Sequence, residues 1–346
     1  FQTMACRAFL RVVTNVGKWI PVIFVLAISV FSFYAYNVIF LLGIWLFYTN
    51  FIYEFCFLGY KDDLSTRIIF GVFFNLIFIL FLWSYLKTVF TPRRRPPDQF
   101  KLPNELRNVI ESQGIDGPFA VDQLRKFAHE NGLPVKTCDY RTGYVRYCQK
   151  CGSVKPDRAS HCSVCDQCIL KYDHHCIWVN NCVNYCNYKF FVLFLLYGFL
   201  LCLYGSLTIL PNFIDLINHR NVRRGEIQII IIFFFAGMFG ISLVALLGFH
   251  IYLLGTNQST VEFARPPILE CGPFKKAYDL GIKKNFKQVF GNDIWKWPLP
   301  VESSLGNGYA FPIHRRNERY SLLSSADPPD LPSEEDGDDT SRPLLV

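Results

Sequence analysis

The chain carries a dense cluster of cysteine and histidine residues, with the spacing Cys-x2-Cys-x9-His-Cys-x2-Cys-x2-Cys-x4-Asp-His-His-Cys-x5-Cys, between Cys148 and Cys182. The cluster holds seven Cys and three His, so it offers ten groups able to bind zinc. Two tetrahedral structural zinc sites use eight ligands. A natural division leaves one Cys and one His unused. A thiol beside an imidazole is the raw material of a nucleophile with its general base.

Two segments of the cluster, Cys148-x2-Cys151 and Cys162-x2-Cys165, have the spacing of zinc knuckles, in which two thiolates from one turn bind a single metal. Because the spacing repeats within a short segment, it indicates metal more strongly than a lone pair would. Zinc at such sites can contribute about 10–16 kcal/mol to folding. A zinc fold that only presents a surface to a partner is the alternative interpretation.

The segment Asp173-His174-His175-Cys176 contains the candidates for chemistry. The spacing does not determine which histidine binds metal. Adjacent side chains point to different sides, so one imidazole can face a metal while the other faces Cys176. Asp173 could accept the imidazole N–H and fix its tautomer, or it could be a turn residue.

Four apolar segments must hold this cluster at a membrane. Hydrophobic residues make up 51% of the 346 residues and are gathered into blocks. A bilayer span takes about 20 apolar residues. The predicted spans are Trp19–Leu42, Ile68–Phe90, Phe190–Leu210 and Ile227–Leu254. Pro211 is expected to follow the third span as a helix terminator.

The distribution of basic residues predicts the orientation. The long segment between the second and third spans is rich in Lys and Arg and begins with Arg93-Arg94-Arg95. Both termini and the zinc module are therefore expected in the cytosol. The loop with Arg220, Arg223 and Arg224 disagrees, but the larger loop should dominate. The net charge of +7 then faces the membrane surface, and no nucleic-acid partner is expected.

Thirteen cysteines in a chain with a cytosolic module favour metal ligands over disulfides. The composition divides the chain into six parts. They are residues 1–90 with an N-terminal arm and spans one and two, a linker at 91–146 with a short helix, the zinc domain at 147–189, spans three and four at 190–254, a membrane-associated segment at 255–315, and an acidic, disordered tail at 316–346.

Taken together, these motifs resemble the DHHC family of protein S-acyltransferases, or palmitoyltransferases. Ser259-Thr260-Val261-Glu262 resembles the family's Thr-Thr-x-Glu motif, and Asn285 matches the buried Asn of its aromatic C-terminal motif. The resemblance covers nearly the whole chain. It implies an all-α integral membrane fold with four transmembrane helices and a cytosolic zinc-bound cysteine-rich domain between helices two and three.

The resemblance also implies how the ligands divide. One structural zinc would be bound by Cys148, Cys151, His161 and Cys168, and the other by Cys162, Cys165, His175 and Cys182. Cys176 would be the nucleophile, His174 its base and Asp173 the orienting carboxylate. In the family, the cysteine takes a long-chain acyl group from acyl-coenzyme A, the co-substrate, and passes it to a cysteine of a membrane-proximal protein.

Further residues match family positions around the acyl-coenzyme A. Trp178, Phe191 and Phe194 would line the acyl chain and Ser32 would cap it, with helix packing as the alternative for each. Lys155 and Arg158 would meet coenzyme A phosphates, or be surface charge of the zinc domain. Ile177 replaces the family's usual Pro, Asn184 its usual Gly and Ser259 its first Thr.

Two other functions are weighed against this one. A catalytically silent, zinc-organised membrane scaffold would explain the metal sites but not the retained Asp173, His174 and Cys176. A metal transporter would need inward-facing ionisable groups within the spans, and the spans offer few. In the tail, Glu318 to Leu323 fits an acidic dileucine sorting pattern, which favours Golgi, plasma membrane or endosome over endoplasmic reticulum.

Overall fold

The computed structural model describes residue 13 and residues 16–41, 64–139, 143–219, 226–269 and 272–313. Within them, four helices are long and apolar enough to cross a membrane, with apolar spans at Ile20–Val38, Ile68–Phe90, Tyr188–Pro211 and Ile230–Thr256. The spanning helices are α1 (Ile20–Tyr34, continued by a π-helix at Ala35–Leu41), α2 (Leu64–Phe90), α5 (Tyr188–His219) and α6 (Glu226–Thr256). The four predicted spans agree with these apolar spans to within a few residues.

One predicted helix end differs from the structure, and another lies outside the described residues. Pro211 lies inside α5 and does not terminate it, although the apolar span does end at this residue. A proline within a membrane helix is tolerated because neighbouring groups can satisfy the freed backbone. Leu42, the predicted end of span one, lies outside the described residues.

The zinc module is built from three short antiparallel hairpins. They are β1 (Tyr147–Cys148) with β2 (Ser153–Val154), β3 (Ser160–Cys162) with β4 (Gln167–Ile169), and β5 (His174–Cys176) with β6 (Asn181–Val183). The expectation of an all-α fold is therefore wrong for this module. Hairpins place cross-strand residues opposite one another, which brings ligands together over a short length of chain.

The segment before the zinc module is more than a linker with one helix. It contains α3 (Asn104–Gln113) and α4 (Pro118–Glu130). The two helices share a small apolar core that includes the fully buried Phe100, Ile110 and Ala120. Only one short helix was predicted from the sequence, because α3 buries a single residue, Ile110, and its apolar pattern is therefore weak.

The segment after α6 folds back over the zinc module. It forms α7 (Thr260–Ala264), a hairpin of β7 (Ile268–Leu269) with β8 (Gly272–Pro273), and α8 (Ile282–Phe290). Lys189, at the start of α5, holds the chain beyond α8. Its buried ammonium donates to the carbonyls of Lys296 and Val301 and to the hydroxyl of Ser303.

A candidate thiol site beside two metal centres

Two clusters of Cys and His lie in the zinc module. The first is Cys148, Cys151, His161 and Cys168, and the second is Cys162, Cys165, His175 and Cys182. Within each cluster the four ligand atoms lie within 4.8 Å of one another. In the second, Nδ1 of His175 lies 3.4 Å from the sulfurs of Cys165 and Cys182 and 3.8 Å from that of Cys162. These spacings fit four thiolate and imidazole ligands around one tetrahedral zinc.

The hairpins interlock through these clusters. His161 and Cys168 are directly opposite on β3 and β4, and they face the knuckle of the first hairpin. His175 and Cys182 are opposite on β5 and β6, and they face the knuckle of the second. Each cluster therefore joins two successive hairpins, and metal at both would fix all three relative to one another.

The strand geometry of β5 separates the two adjacent histidines. Successive side chains of a β-strand point to opposite faces, so residues two apart share a face. His175 faces the second cluster, whereas His174 shares a face with Cys176 and lies close enough to interact with its thiol. The alternative that the spacing left open is decided by this alternation.

Asp173 is hydrogen-bonded to His174. Its Oδ2 lies 2.7 Å from Nδ1 of His174. Burial opposes a positive charge on His174, but interactions with Asp173 and Cys176 outweigh that effect and raise its pKa to about 9. With Nδ1 bound to the carboxylate, the other ring nitrogen is the one able to exchange a proton with the Cys176 sulfur.

The first turn of α7 holds Asp173 in place. The backbone N–H of Thr260 donates to Oδ1 of Asp173 at 2.9 Å, and its hydroxyl donates to the carbonyl of Asp173 at 2.6 Å. This turn is stabilised by a capping box between Ser259 and Glu262. The predicted Thr-x-Glu motif therefore positions the carboxylate that orients His174.

The same turn is joined to the zinc module by a buried ion pair. Nε and Nη2 of Arg158 donate to the two carboxylate oxygens of Glu262, each at 2.7 Å. Arg158 also donates to the side chain and the carbonyl of Asn257, and its guanidinium lies over the ring of Tyr278. Burial would lower the pKa of Arg158, but the charge of Glu262 outweighs it and raises that pKa.

The chain is similar to known proteins along most of its length. Residues 142–266 match the profile of the DHHC palmitoyltransferase family. The chain is 37% identical to palmitoyltransferase ZDHHC15 of Xenopus laevis, over 92% of this chain and 88% of that protein. It is 39% identical to human palmitoyltransferase ZDHHC2, over 85% of this chain and 75% of that protein. It is 38% identical to human palmitoyltransferase ZDHHC20, over 89% of this chain and 80% of that protein. The chain belongs to the DHHC palmitoyltransferase family.

In this DHHC protein the thiol faces the bundle of spans. Cys176 is 9% exposed and lies in the same apolar cluster as Val22 of α1, Tyr85 of α2, and Phe191 and Phe194 of α5. The thiol therefore lies where the apolar interior meets the zinc module.

The other two predicted acyl contacts, Trp178 and Ser32, lie outside the buried cluster that contains the thiol. Trp178 is 46% exposed and contacts Phe24 at the edge of α1. Ser32 lies ten residues beyond Val22 on α1, about 15 Å along the helix axis, and is half-buried. Of the four predicted acyl contacts, Phe191 and Phe194 thus share the apolar cluster of Cys176, Trp178 lies at the edge of α1, and Ser32 lies further along that helix.

The predicted role of Arg158 as a coenzyme A contact needs correction. Its side chain is fully buried and four of its five N–H groups donate to Glu262 and Asn257, so it cannot reach a phosphate at the surface. Its tasks are structural. Lys155 is half-buried and lies near the Cys148 thiol, whose charge it can balance.

The departures from the family pattern cause no visible strain. Among the described non-glycine residues, positive φ occurs at Arg158, Asp166, Lys171, Asn180 and Asn257. Asn184 is not one of them, so its position does not need glycine. Its side chain donates to the carbonyl of Cys182 and accepts from the N–H of Cys186. Ile177 is 60% exposed, at the outside of the turn.

The sequence analysis missed three features around the site. Tyr85 donates to the carbonyl of Trp178 at 3.0 Å, and the amide of Asn181 donates to three carbonyls at the end of α2. Neither polar residue has a sequence signal that reveals its partner. The third feature, a fourteen-residue repeat of the hairpins, does have a sequence signal. Ligand types recur every fourteen residues, at Cys148 and Cys162, at His161 and His175, and at Cys168 and Cys182.

Proposed function

We propose that this chain is a protein S-palmitoyltransferase that carries a long-chain acyl group on Cys176 between acyl-coenzyme A and cysteines of protein substrates. Family membership supports the transfer. The observation that carries the residue assignment is the arrangement of three side chains: Asp173 is hydrogen-bonded to both His174 and Thr260, and His174 shares a strand face with Cys176.

In the first step the sulfur of Cys176 attacks the thioester carbon of acyl-coenzyme A. The new carbon–sulfur bond forms as the bond to the coenzyme A sulfur breaks. His174 takes the proton of Cys176 and returns it to the departing thiolate, while Asp173 holds the imidazole in the required tautomer.

In the second step a substrate cysteine attacks the acyl group on Cys176. His174 accepts the proton of the substrate thiol and gives it to the Cys176 sulfur, so that the enzyme is restored. One thioester is exchanged for another in both steps and the energy change is small. Placement of the two sulfurs and the base is therefore what catalysis mainly requires.

The two metal clusters are proposed to hold structural zinc. All eight ligands belong to the hairpins, and they leave His174 and Cys176 unused. Zinc would supply folding energy to a module whose strands are only two or three residues long. It would take no part in the acyl transfer.

The acyl chain is proposed to enter the bundle beside Cys176, between Phe191 and Phe194, with Trp178 at the edge and Ser32 towards the far end. An apolar cluster that already contains the thiol supports this path. Each buried CH₂ contributes about 0.8 kcal/mol, which favours a site at the membrane over one in water. Lys155 remains the proposed contact for a coenzyme A phosphate.

Orientation and location are proposed from the sequence. Four apolar helices indicate a multi-pass membrane protein, and the basic segment after α2 favours cytosolic termini and a cytosolic zinc module. The six-part division of the chain is retained, with 91–146 as a small helical unit. The tail motif favours Golgi, plasma membrane or endosome. Both the tail motif and the loop with Arg220 lie outside the described residues.

The deciding experiment is mass spectrometry of the purified protein after incubation with palmitoyl-coenzyme A. We expect one hydroxylamine-labile palmitoyl group on Cys176 and none in Cys176→Ser. Zinc content should be unchanged in the variant, because Cys176 is not in either cluster. A folded, zinc-loaded wild type without the adduct would instead support the membrane scaffold.

A further inference from the structure

The turn that carries Cys176 repeats the geometry of the two metal-binding knuckles. The strand registers Tyr147 with Val154, His161 with Cys168, and His175 with Cys182 are each displaced by fourteen residues. In this frame Cys176 occupies the position of Cys148 and Cys162. It is the first cysteine of a third knuckle.

The backbone of the three turns agrees with this alignment. Gly152, Asp166 and Asn180, again fourteen residues apart, all have left-handed backbone conformations, with φ of 61°, 48° and 46°. The N–H of Gly152 donates to the carbonyl of Gln149, and the N–H of Asn180 donates to that of Ile177 in the same way. The three turns therefore share their backbone conformation as well as the spacing of their residues.

The third turn lacks the second thiolate. Val179 stands where the other turns have Cys151 and Cys165, and it is fully buried in the same apolar cluster as Cys176. Where each of the other turns faces a cross-strand Cys and His pair, the third faces Tyr85 and Phe191 of the spans.

The metal-binding turns also show what their backbones do for the first sulfur. The backbone N–H of Cys151 lies close enough to the sulfur of Cys148 to favour its thiolate. The N–H groups of Val164 and Cys165 lie in the same relation to the sulfur of Cys162. Such N–H groups, converging from one turn, form a site for negative charge.

We infer that Cys176 lies in a zinc knuckle that has lost its second ligand, and that the backbone N–H groups of Trp178 and Val179 donate to its sulfur. These amides would hold the sulfur at a fixed position with no metal bound to it, leaving it free to react. The inference deepens the proposed function and rests on Cys176 as the nucleophile.

The geometry is tested with phenylarsine oxide, which joins two neighbouring thiols through arsenic and releases water. In Val179→Cys the new thiol takes the place of Cys165, next to the first sulfur of the turn. We expect an adduct that resists glutathione and is removed by dimercaptopropanol, with zinc content unchanged. The control is Ile177→Cys, next to Cys176 in sequence and 60% exposed, where the frame of the other two turns places no metal ligand.

If Val179→Cys gives no more dithiol adduct than Ile177→Cys, the knuckle geometry is wrong. This measurement reads a cross-link and not acyl transfer. Its failure is therefore separate from failure of the proposed function, which would appear as wild-type protein without the palmitoyl adduct.

The contribution of the backbone to reactivity is tested at Asn180. The left-handed position accepts Gly and Asp in the other two turns, so Asn180→Gly and Asn180→Asp should form acyl-enzyme at close to the wild-type rate. Asn180→Val should be about tenfold slower, because a β-branched residue disfavours this conformation. The acyl-coenzyme A concentration for half-maximal rate should stay unchanged. Equal rates for all three variants would overturn the role of the turn.

Discussion

Asp173 contacts both the imidazole that faces Cys176 and the first turn of α7. It is 2% exposed, so its charge is balanced inside the protein by His174 and by the N–H of Thr260. A buried carboxylate held by groups on both sides has one orientation available. At the scale of the residue, the proposed base is thus fixed by a neighbour that does not itself touch the thiol.

The first prediction concerns this carboxylate. Asp173→Asn keeps an acceptor for Thr260 but lets the amide present a donor to Nδ1 of His174, which favours the wrong tautomer. We expect the rate of acyl-enzyme formation to fall by about 100-fold or more, with zinc content unchanged. Asp116→Asn, at an exposed loop, serves as the control. A normal rate in Asp173→Asn would show that tautomer control is unimportant.

Residue types and spacing predicted two metal sites with one thiol and one imidazole left over, because metal sites need specific donors at short separations. The division of the eight ligands came from the resemblance to the DHHC family. Spacing alone could not separate His174 from His175, since that depends on the strand direction of β5. Arg158 was misassigned because its partner, Glu262, is 104 residues away in the sequence. Partners made by tertiary folding leave no local pattern.

At the scale of the element, α2 holds the thiol turn through polar groups in an apolar helix. Tyr85 is fully buried, lies close enough to Cys176 to interact electrostatically, and donates to the carbonyl of Trp178. Its hydroxyl also lies 3.5 Å from the carbonyl of Val22. The tyrosine therefore connects two spans to the turn beside the thiol.

Tyr85→Phe removes only this hydroxyl. Leaving a buried acceptor without its donor costs about 1–3 kcal/mol, and the loss here falls on the turn that presents Cys176. Acyl-enzyme formation should slow by about tenfold, which corresponds to about 1.4 kcal/mol. Tyr197→Phe is the matched control, because Tyr197 donates to the carbonyl of Pro298 in a different segment. Equal slowing in both variants would mean that the Tyr85 hydroxyl has no specific effect on the turn that presents Cys176.

The end of α2 supplies a second prediction at this scale. The last carbonyls of a helix lack partners within it, and Asn181 donates its amide to those of Thr88, Val89 and Thr91 at 3.0–3.1 Å. Asn181→Asp replaces that donor with an acceptor facing three carbonyls. The midpoint of thermal unfolding in detergent should fall clearly.

The control for this substitution is Asn307→Asp. Asn307 is exposed and uses only its side-chain oxygen, to accept from the N–H groups of Tyr309 and Ala310, so an aspartate preserves both bonds. If the two variants unfold at the same temperature, the amide of Asn181 does not hold the zinc module to α2.

At the scale of the whole molecule, the zinc module, the end of α6 and the C-terminal segment meet around Arg158. The guanidinium binds Glu262 and Asn257 and lies over the rings of Tyr278 and Phe311. Glu262 shares the short helix α7 with Thr260, which holds Asp173. The ion pair is thus two contacts away from the proposed base, and it joins parts of the chain that are distant in sequence.

A double-mutant cycle tests this connection. Removing one partner of a buried ion pair leaves an uncompensated charge and costs about 3–5 kcal/mol. Arg158→Met and Glu262→Gln should therefore each lower thermal stability strongly, while the double variant should lose much less than their combined effects. Acyl-enzyme formation should fall in both single variants, because α7 loosens and Thr260 no longer fixes Asp173.

The control cycle is Arg107→Met with Glu111→Gln, an ion pair within α3 whose side chains are partly exposed and whose coupling should be small. Additive losses at Arg158 and Glu262, or full activity in the single variants, would mean that the zinc module and α7 are held together by other contacts.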